Sequence, residues 1–190
     1  MKRIAIIAVV VLMAAALAGS AFAANSLAQG SMGISVGMGD SVFGHPNFPL
    51  GDAAATQNPV VDISGRFFVA KDVALTLGAG LQLNSSDVEG TYLSLSFGAR
   101  KYLSTNDFAP FVGGQLTYIS WDGKTDAGKF ADASVFDLSA FIGGEYFFAK
   151  NFSVEGAIGV GLGQASDDIT NQDTTYFGTR TMGVHANFYF

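Results

Sequence analysis

The chain has no cysteine and few charges. Because none of its 190 residues is cysteine, neither disulfides nor cysteine-bound metal can hold the fold together. Charged residues make up 14% of the chain, compared with roughly 25% in an ordinary soluble domain. The formal net charge is −6, whereas nucleic-acid binding requires clustered Lys and Arg. The composition therefore excludes a disulfide-stapled fold and argues against a nucleic-acid partner.

Long apolar runs are absent except at the N-terminus. There, two basic residues precede the uncharged run Ile4–Leu17, which is shorter than the ~20 residues that cross a bilayer as a helix. Ala21-Phe22-Ala23 then has the small-x-small pattern of a cleavage site. We predict a signal peptide over residues 1–23 and one domain over 24–190, and we prefer this interpretation to a transmembrane anchor.

Helical periodicity is absent after the signal, whereas alternation with a period of two recurs along the whole domain. Such alternation is typical of strands with two different faces. The 24 Gly and 17 Phe also favour sheet over helix. The predicted fold class is all-β, with eight strands at about Gly30–Met38, Val60–Val69, Val73–Asn84, Thr91–Leu103, Ala109–Trp121, Ser134–Phe148, Phe152–Gly163 and Phe177–Phe190.

The connections between these strands alternate in length. Tight turns follow strands two, four and six, and polar connections follow the odd-numbered strands. Three of these are longer loops, predicted at Gly39–Pro59, Asp122–Ala133 and Gln164–Tyr176, while the connection Ser85–Gly90 is short. Short turns at one end and longer loops at the other are typical of outer-membrane barrels.

The two faces of the third strand separate a membrane barrel from a soluble one. One face carries long aliphatics from Val73 to Leu83, and the other, which includes Thr76 and Gln82, has no charge. A soluble barrel such as a lipocalin turns its apolar face inward and its charges outward. Because lipid cannot satisfy backbone amides, a spanning sheet must close on itself. We therefore predict an eight-stranded antiparallel up-and-down transmembrane β-barrel whose aliphatic side chains face lipid.

Aromatic residues lie near the predicted strand ends, where we expect two interfacial girdles. The alternative is that they are ordinary core aromatics. The girdle predicted near the short turns comprises Phe67, Tyr102, Phe108, Phe148, Phe152 and Phe190, and the girdle near the loops comprises Tyr92, Tyr118, Trp121, Phe136 and Tyr176.

The signal peptide, the alternating connection lengths and the terminal Asn187-Phe188-Tyr189-Phe190 together resemble the small outer-membrane β-barrel family. That family includes the OmpA transmembrane domain, the OmpX type and the opacity proteins. The resemblance implies that Phe188 and Phe190 form the signal read by the barrel-assembly machinery. It covers essentially the whole domain, and it is specific for architecture but weak for activity. The peptidoglycan-binding domain that follows the barrel in OmpA-type proteins is missing from this sequence, so a wall-anchoring role is not implied.

Four charged residues are predicted to face the barrel interior at a common depth, in the half nearer the short turns. They are Arg66, Arg100, Glu145 and Glu155. Since a buried charge is tolerated only when paired, we interpret them as a structural plug that fills the lumen. The alternative is a gated polar pathway. Asp62 and Asp137 are also predicted to face inward, without assigned partners.

No catalytic or metal-binding pattern stands out. Lipid A deacylases place a His and a Ser two residues apart on a late strand, but here His185 is followed at that spacing by Asn187, and His185 is predicted to face the lumen. With two distant His, the spacing of a transition-metal site is lacking. The loop acids include no EF-hand pattern, so solvated surface is a better interpretation than calcium binding. We expect no enzyme, no cofactor and no metal.

The predicted function is a structural and surface-interaction role in the bacterial outer membrane, carried by acidic extracellular loops on a barrel filled with side chains. The expected partners are outer-membrane lipid, the barrel-assembly machinery and an extracellular ligand bound through the loops. A narrow pore or hydrophobic-solute conduit is the first alternative, and a lipid-modifying enzyme is the second.

Overall fold

The computed structural model describes residues 27–41, 61–85, 89–125 and 128–190. The predicted signal peptide and most of the predicted first loop therefore lie outside the described residues. Every predicted strand is present. The strands are β1 (Met32–Ser41), β2 (Val61–Ala70), β3 (Val73–Ser85), β4 (Glu89–Tyr102), β5 (Phe108–Thr125), β6 (Gly128–Ala149), β7 (Phe152–Asp167) and β8 (Gln172–Tyr189).

Each strand pairs in antiparallel fashion with the next one along the chain, and β1 also pairs with β8. This last pairing, which includes Gly37↔His185, closes the sheet into a barrel with eight strands in sequential order. The predicted fold class is therefore confirmed. Within the described ranges, no helix has the length and apolar character needed to cross a bilayer.

Tight turns follow β2, β4 and β6, as predicted. The turn between β2 and β3 contains Lys71 and Asp72, and Asp72 has a positive φ of 66°. The equivalent turn between β6 and β7 contains Lys150 and Asn151. Both turns follow an Ala at the end of the preceding strand, Ala70 and Ala149, and both lie at the same end of the barrel.

Two of the predicted loops are wrong. Instead of loops over Asp122–Ala133 and Gln164–Tyr176, the strand pairs β5–β6 and β7–β8 continue as long hairpins to Thr125↔Gly128 and Asp167↔Gln172. A hairpin that extends beyond lipid needs no apolar face, so its polar composition resembled a loop. Ion pairs of Lys124 with Glu89 (2.8 Å) and of Lys129 with Asp122 (2.7 Å) link the extended end of β5 to β4 and to β6.

The turn between β7 and β8 is closed by the side chain of Asp167. The Thr170 hydroxyl and the backbone N–H of Ile169 donate hydrogen bonds to it at 2.7 and 2.9 Å. These donors hold the pKa of the exposed Asp167 carboxyl below its usual value, the Thr170 hydroxyl contributing most. Asn171 then takes a positive φ of 56°, a conformation that Asn tolerates better than most residues.

The outer surface of the barrel is apolar. Leu77 of β3 is 68% exposed, and Leu95, Leu138, Ile158 and many other large apolar side chains are also exposed. On the opposite face of β3, Ala74 and Thr76 are buried inside the barrel. A soluble barrel would show the reverse arrangement, so the predicted orientation of the aliphatic face is confirmed. An apolar surface of this extent on a closed sheet is stable in hydrocarbon and unstable in water.

Two clusters of large side chains fill the inside of the barrel. The cluster near the short turns contains Leu27, Phe68, Tyr102, Phe111, Phe141 and Tyr189. The cluster near the hairpins contains Tyr92, Ile119, Val135 and Ala165, with Trp121 and Tyr176 packed against them.

Four aromatics predicted for the girdles therefore face the interior, namely Tyr92, Tyr102, Trp121 and Tyr176. Strand parity explains the error for Tyr102, because it is two residues from the inward-facing Arg100 and must share its face. Other predicted girdle residues are exposed on the outer surface, including Phe67, Phe108, Tyr118, Phe136 and Phe148.

Glycines make room for the interior rings. Phe141 lies over Gly113 and Phe111 lies over Gly143 on paired strands, and the two rings meet edge to face with centroids 6.2 Å apart. A Cβ at Gly113 would lie 2.5 Å from the Phe141 ring and 2.6 Å from the backbone oxygen of Ala99. The small residues of the interior are thus required by the width of an eight-stranded barrel.

A bulge in β8 reverses the alternation of that strand. Gly156 pairs with Val184, but Ile158 pairs with Thr181, so β8 contains one extra residue near Gly183, which has a positive φ of 67°. Unbroken alternation would place Phe177 on the same face as His185, inside the barrel. Instead, Phe177 faces outward and is 68% exposed.

A buried ionic cluster in the barrel lumen

The four charged residues predicted to face inward lie in contact inside the barrel. Nη1 of Arg66 is 3.1 Å from Oε2 of Glu145, and Nη2 of Arg66 is 3.0 Å from Oε1 of Glu155. Nη1 of Arg100 is 2.6 Å from Oε2 of Glu155. Glu145 and Glu155 are direct cross-strand partners on β6 and β7. Two carboxylates placed opposite each other are thus neutralised by guanidinium groups from β2 and β4.

Glu145 is the centre of this ionic cluster and is completely buried. The Tyr102 hydroxyl donates to its Oε2 at 2.6 Å, and the Asn187 amide donates to its Oε1 at 3.1 Å. The hydroxyls of Ser153 and Tyr189 also donate to Oε1. None of these four residues is predicted from the sequence to contact Glu145. Each of them has the strand parity of a residue predicted to face inward, which is the signal that would have found them.

Aromatic rings close off the guanidinium groups. Cζ of Arg100 lies 4.4 Å from the centroid of the Phe111 ring and 5.7 Å from that of Phe141, within the range of cation–π attraction. Cζ of Arg66 lies 5.8 Å from the centroid of the Tyr189 ring. The ionic cluster and the aromatic cluster therefore form one packed layer across the barrel.

A histidine borders the ionic cluster on the side away from the short turns. Nε2 of His185 lies 3.3 Å from Oδ1 of Asp62, and Nδ1 of His185 lies 3.7 Å from Oε1 of Glu155. A small, mostly polar cavity of about 30 Å³ adjoins these groups and is also lined by Thr76 and Gln115. The structure thus supplies the partner of Asp62 that could not be assigned from the sequence.

The second inward-facing aspartate, Asp137, lies near the hairpin end of the barrel. It is completely buried and accepts a hydrogen bond from the Tyr176 hydroxyl at 2.9 Å. Since Tyr176 packs against the cluster near the hairpins, Asp137 belongs to the second filled layer and not to the ionic cluster.

No protein-family model matches the chain, and no curated protein sequence matches it. Among solved structures, it is similar to the N-terminal β-barrel domain of Pseudomonas aeruginosa OprF, with a TM-score of 0.55 and 18% identity over 85% of this chain and 98% of that domain. It is also similar to Neisserial surface protein A (NspA), with a TM-score of 0.50 and 11% identity over 84% of this chain and 94% of that one.

The chain has the fold of the small outer-membrane β-barrel proteins. Its closed sheet and its apolar exterior are the two properties that such a barrel needs in a bilayer. The location is the bacterial outer membrane, as predicted from the sequence. This small outer-membrane barrel carries its short turns at one end and its long hairpins at the other.

The two residues assigned to the assembly signal lie at the short-turn end of this outer-membrane barrel. Phe188 is exposed on the lipid-facing side, and its ring centroid is 5.2 Å from that of Phe152. The backbone of Phe190 exchanges two hydrogen bonds with Met32, at 3.0 and 3.1 Å. Both residues are therefore fixed at the seam between β1 and β8.

The residues considered for catalysis or metal binding are His185 and the acidic residues. His185 is buried inside the barrel, so it does not share the lipid-facing position of a deacylase histidine. Among the residues that the structure describes, no three His, Cys, Asp or Glu side chains are grouped so as to hold a metal ion. Several loop acids have partners in the hairpins, since Asp122 binds Lys129 and Asp173 accepts a hydrogen bond from Ser166 at 2.7 Å.

Proposed function

We propose that this outer-membrane barrel is a closed scaffold that presents its long hairpins and loops at the cell surface for interaction with an extracellular ligand. The observation that carries this proposal is the filled lumen. A packed layer of ionic and aromatic side chains lies near the short turns, and a second layer lies near the hairpins. A barrel of eight strands is only wide enough to be filled by side chains. The proposed function is therefore not the transport of solutes through the lumen.

The length of the strands supports the second half of the proposal. β6 has 22 residues and β5 and β8 have 18 each, whereas about 9–11 residues cross a bilayer at the usual tilt. The surplus lies at the end away from the short turns, where the exposed acids Asp168 and Asp173 are found. In outer-membrane barrels this end faces the outside, and loops on a rigid scaffold commonly carry recognition.

The first test is electrical. The barrel should be refolded into a planar bilayer, where we expect no reproducible single-channel steps because both layers exclude a continuous water path. Gel mobility of the same preparation, with and without boiling, reports whether the barrel is folded. Reproducible steps from folded protein would refute the closed scaffold and favour a narrow pore.

The second test is topological and uses the absence of cysteine. Thr170 lies exposed in the turn between β7 and β8, and Lys150 lies exposed in the turn between β6 and β7. In intact cells, a membrane-impermeant maleimide should label Thr170→Cys and leave Lys150→Cys unlabelled, whereas both should react after lysis. Labelling of Lys150→Cys alone in intact cells would place the hairpins on the wrong side for the proposed function.

The proposal also gives the terminal aromatics a role in biogenesis. Phe188 and Phe190 would be read by the barrel-assembly machinery before the β1–β8 seam closes. Their position supports the role, because both residues lie along the edge of the chain that pairs with β1 when the barrel closes.

A further inference from the structure

We propose that the barrel interior contains a proton-binding site formed by His185, Asp62 and Glu155, and that the bound proton stabilises the folded barrel. The inference rests on the geometry of these side chains and is independent of the function proposed above. The two ring nitrogens of His185 point to different carboxylates, Nε2 to Asp62 at 3.3 Å and Nδ1 to Glu155 at 3.7 Å.

A glycine lets the histidine and the aspartate meet. His185 on β8 and Asp62 on β2 are not on neighbouring strands, because β1 lies between them. Gly37 of β1 is the direct cross-strand partner of both residues. A Cβ at position 37 would overlap the imidazole ring and would lie 2.7 Å from Oδ1 of Asp62. The imidazole therefore reaches Asp62 across the space that the missing side chain leaves.

The charges around the site show what the proton contributes. The ionisable groups that face His185 or its partners are Asp62 and Arg66 on β2, Arg100 and Tyr102 on β4, Glu145 on β6, Glu155 on β7 and Tyr189 on β8. Among these, three carboxylates face two guanidinium groups. Both guanidinium groups bind Glu155, and neither forms an ion pair with Asp62 in the described residues. An imidazolium at His185 supplies the third positive charge.

The charge of histidine makes the effect depend on pH. An imidazolium carries a positive charge whose Nε2 lies 3.3 Å from Oδ1 of Asp62 and whose Nδ1 lies 3.7 Å from Oε1 of Glu155, whereas a neutral imidazole carries no charge. On deprotonation, both carboxylates lose this attraction, which is costly for charges held away from water. The folded barrel therefore binds this proton more tightly than the unfolded chain does. The stabilisation is present in mild acid and should be lost as the pH rises.

The test is the urea-unfolding midpoint of the barrel in lipid vesicles between about pH 6 and 9, a range that spans histidine titration. We expect the urea midpoint of the natural protein to fall with rising pH. For one proton, the folding equilibrium constant changes by at most about tenfold per pH unit. The variant His185→Gln should lack this slope, and His45→Gln, which removes the other histidine, should retain it. Equal slopes for the natural protein and His185→Gln would overturn the proposal.

A second measurement needs no unfolding and uses the partner and the glycine. With two histidines in the chain, the ¹⁵N signals of a histidine-labelled barrel can be assigned with the same two variants. We expect Asp62→Asn, and separately Gly37→Ala, to make His185 lose its proton at a lower pH than in the natural protein. If the His185 signals titrate identically in all three proteins, the site does not exist as described.

Discussion

Replacement of Glu145 by Gln is expected to lower the free energy of unfolding by about 3–5 kcal/mol, the usual cost of breaking a buried ion pair on one side. The side chain is completely buried and accepts hydrogen bonds from Tyr102, Asn187, Ser153 and Tyr189, besides its ion pair with Arg66. Glutamine keeps the shape but turns one acceptor into a donor. Tyrosine and serine hydroxyls would then face an amide. Urea unfolding in lipid vesicles, followed by the fluorescence of Trp121, measures the loss.

The matched control is Glu89→Gln. Glu89 and Lys124 form an ion pair at 2.8 Å, but their side chains are 60% and 62% exposed. We expect this variant to change the free energy of unfolding by less than about 1 kcal/mol, because solvent screens an exposed pair. Equal effects of the two Gln substitutions would show that burial of the ionic cluster contributes nothing to stability.

Leu77→Arg is expected to destabilise the barrel by about 2–4 kcal/mol, the cost of a cation on the lipid-facing side near the bilayer midplane. Leu77 lies in the middle part of β3, and its side chain is largely exposed on the outer surface. In water the same change would be harmless or would improve solubility. The measurement is the urea-unfolding midpoint in vesicles, supported by gel mobility without boiling.

The control is Leu103→Arg, which places the same cation at the membrane–water interface. Leu103 is 61% exposed and directly follows β4, at the short-turn end. There the cost should fall to about 0–1 kcal/mol, because the guanidinium reaches the headgroups. If both arginines had the same small effect, the aliphatic face of β3 would not be in contact with hydrocarbon.

Most of the fold could be predicted from the sequence because each strand has two chemically different faces. In β3, long aliphatics alternate with small or polar residues, and this pattern fixes both the strand and the side that faces lipid. The turns after β2, β4 and β6 could be predicted from short polar interruptions between the strands. The lengths of the hairpins did not follow, since a strand outside the bilayer loses the alternation that reveals it.

The bulge in β8 was also beyond prediction from alternation. Gly183 looks like one more small interior residue until the pairing with β7 shows an extra residue there. Only the neighbouring strand determines that the side chains before Gly183 change face, as Phe177 does.

For the candidate site, parity identified the four charged residues but not their surroundings. That Glu145 meets Tyr102 and Tyr189 depends on strand tilt and stagger, which bring residues of equal parity from distant strands to one depth. The pair of His185 and Asp62 depends on the register of β1, because only that register puts Gly37 between them. Composition and spacing carry no information on register of this kind.

Apart from Ser153 on β7, the hydrogen-bond and ion-pair partners of Glu145 come from strands that are not its neighbours, and this has a consequence for barrel closure. Glu145 contacts Arg66, 79 positions earlier, and Tyr189, 44 positions later. In an open sheet these groups cannot converge, so a half-assembled barrel would carry unneutralised carboxylates and guanidiniums towards the membrane. Closure of the β1–β8 seam thus brings the interior charges together, and a sheet that has not closed leaves them unpaired.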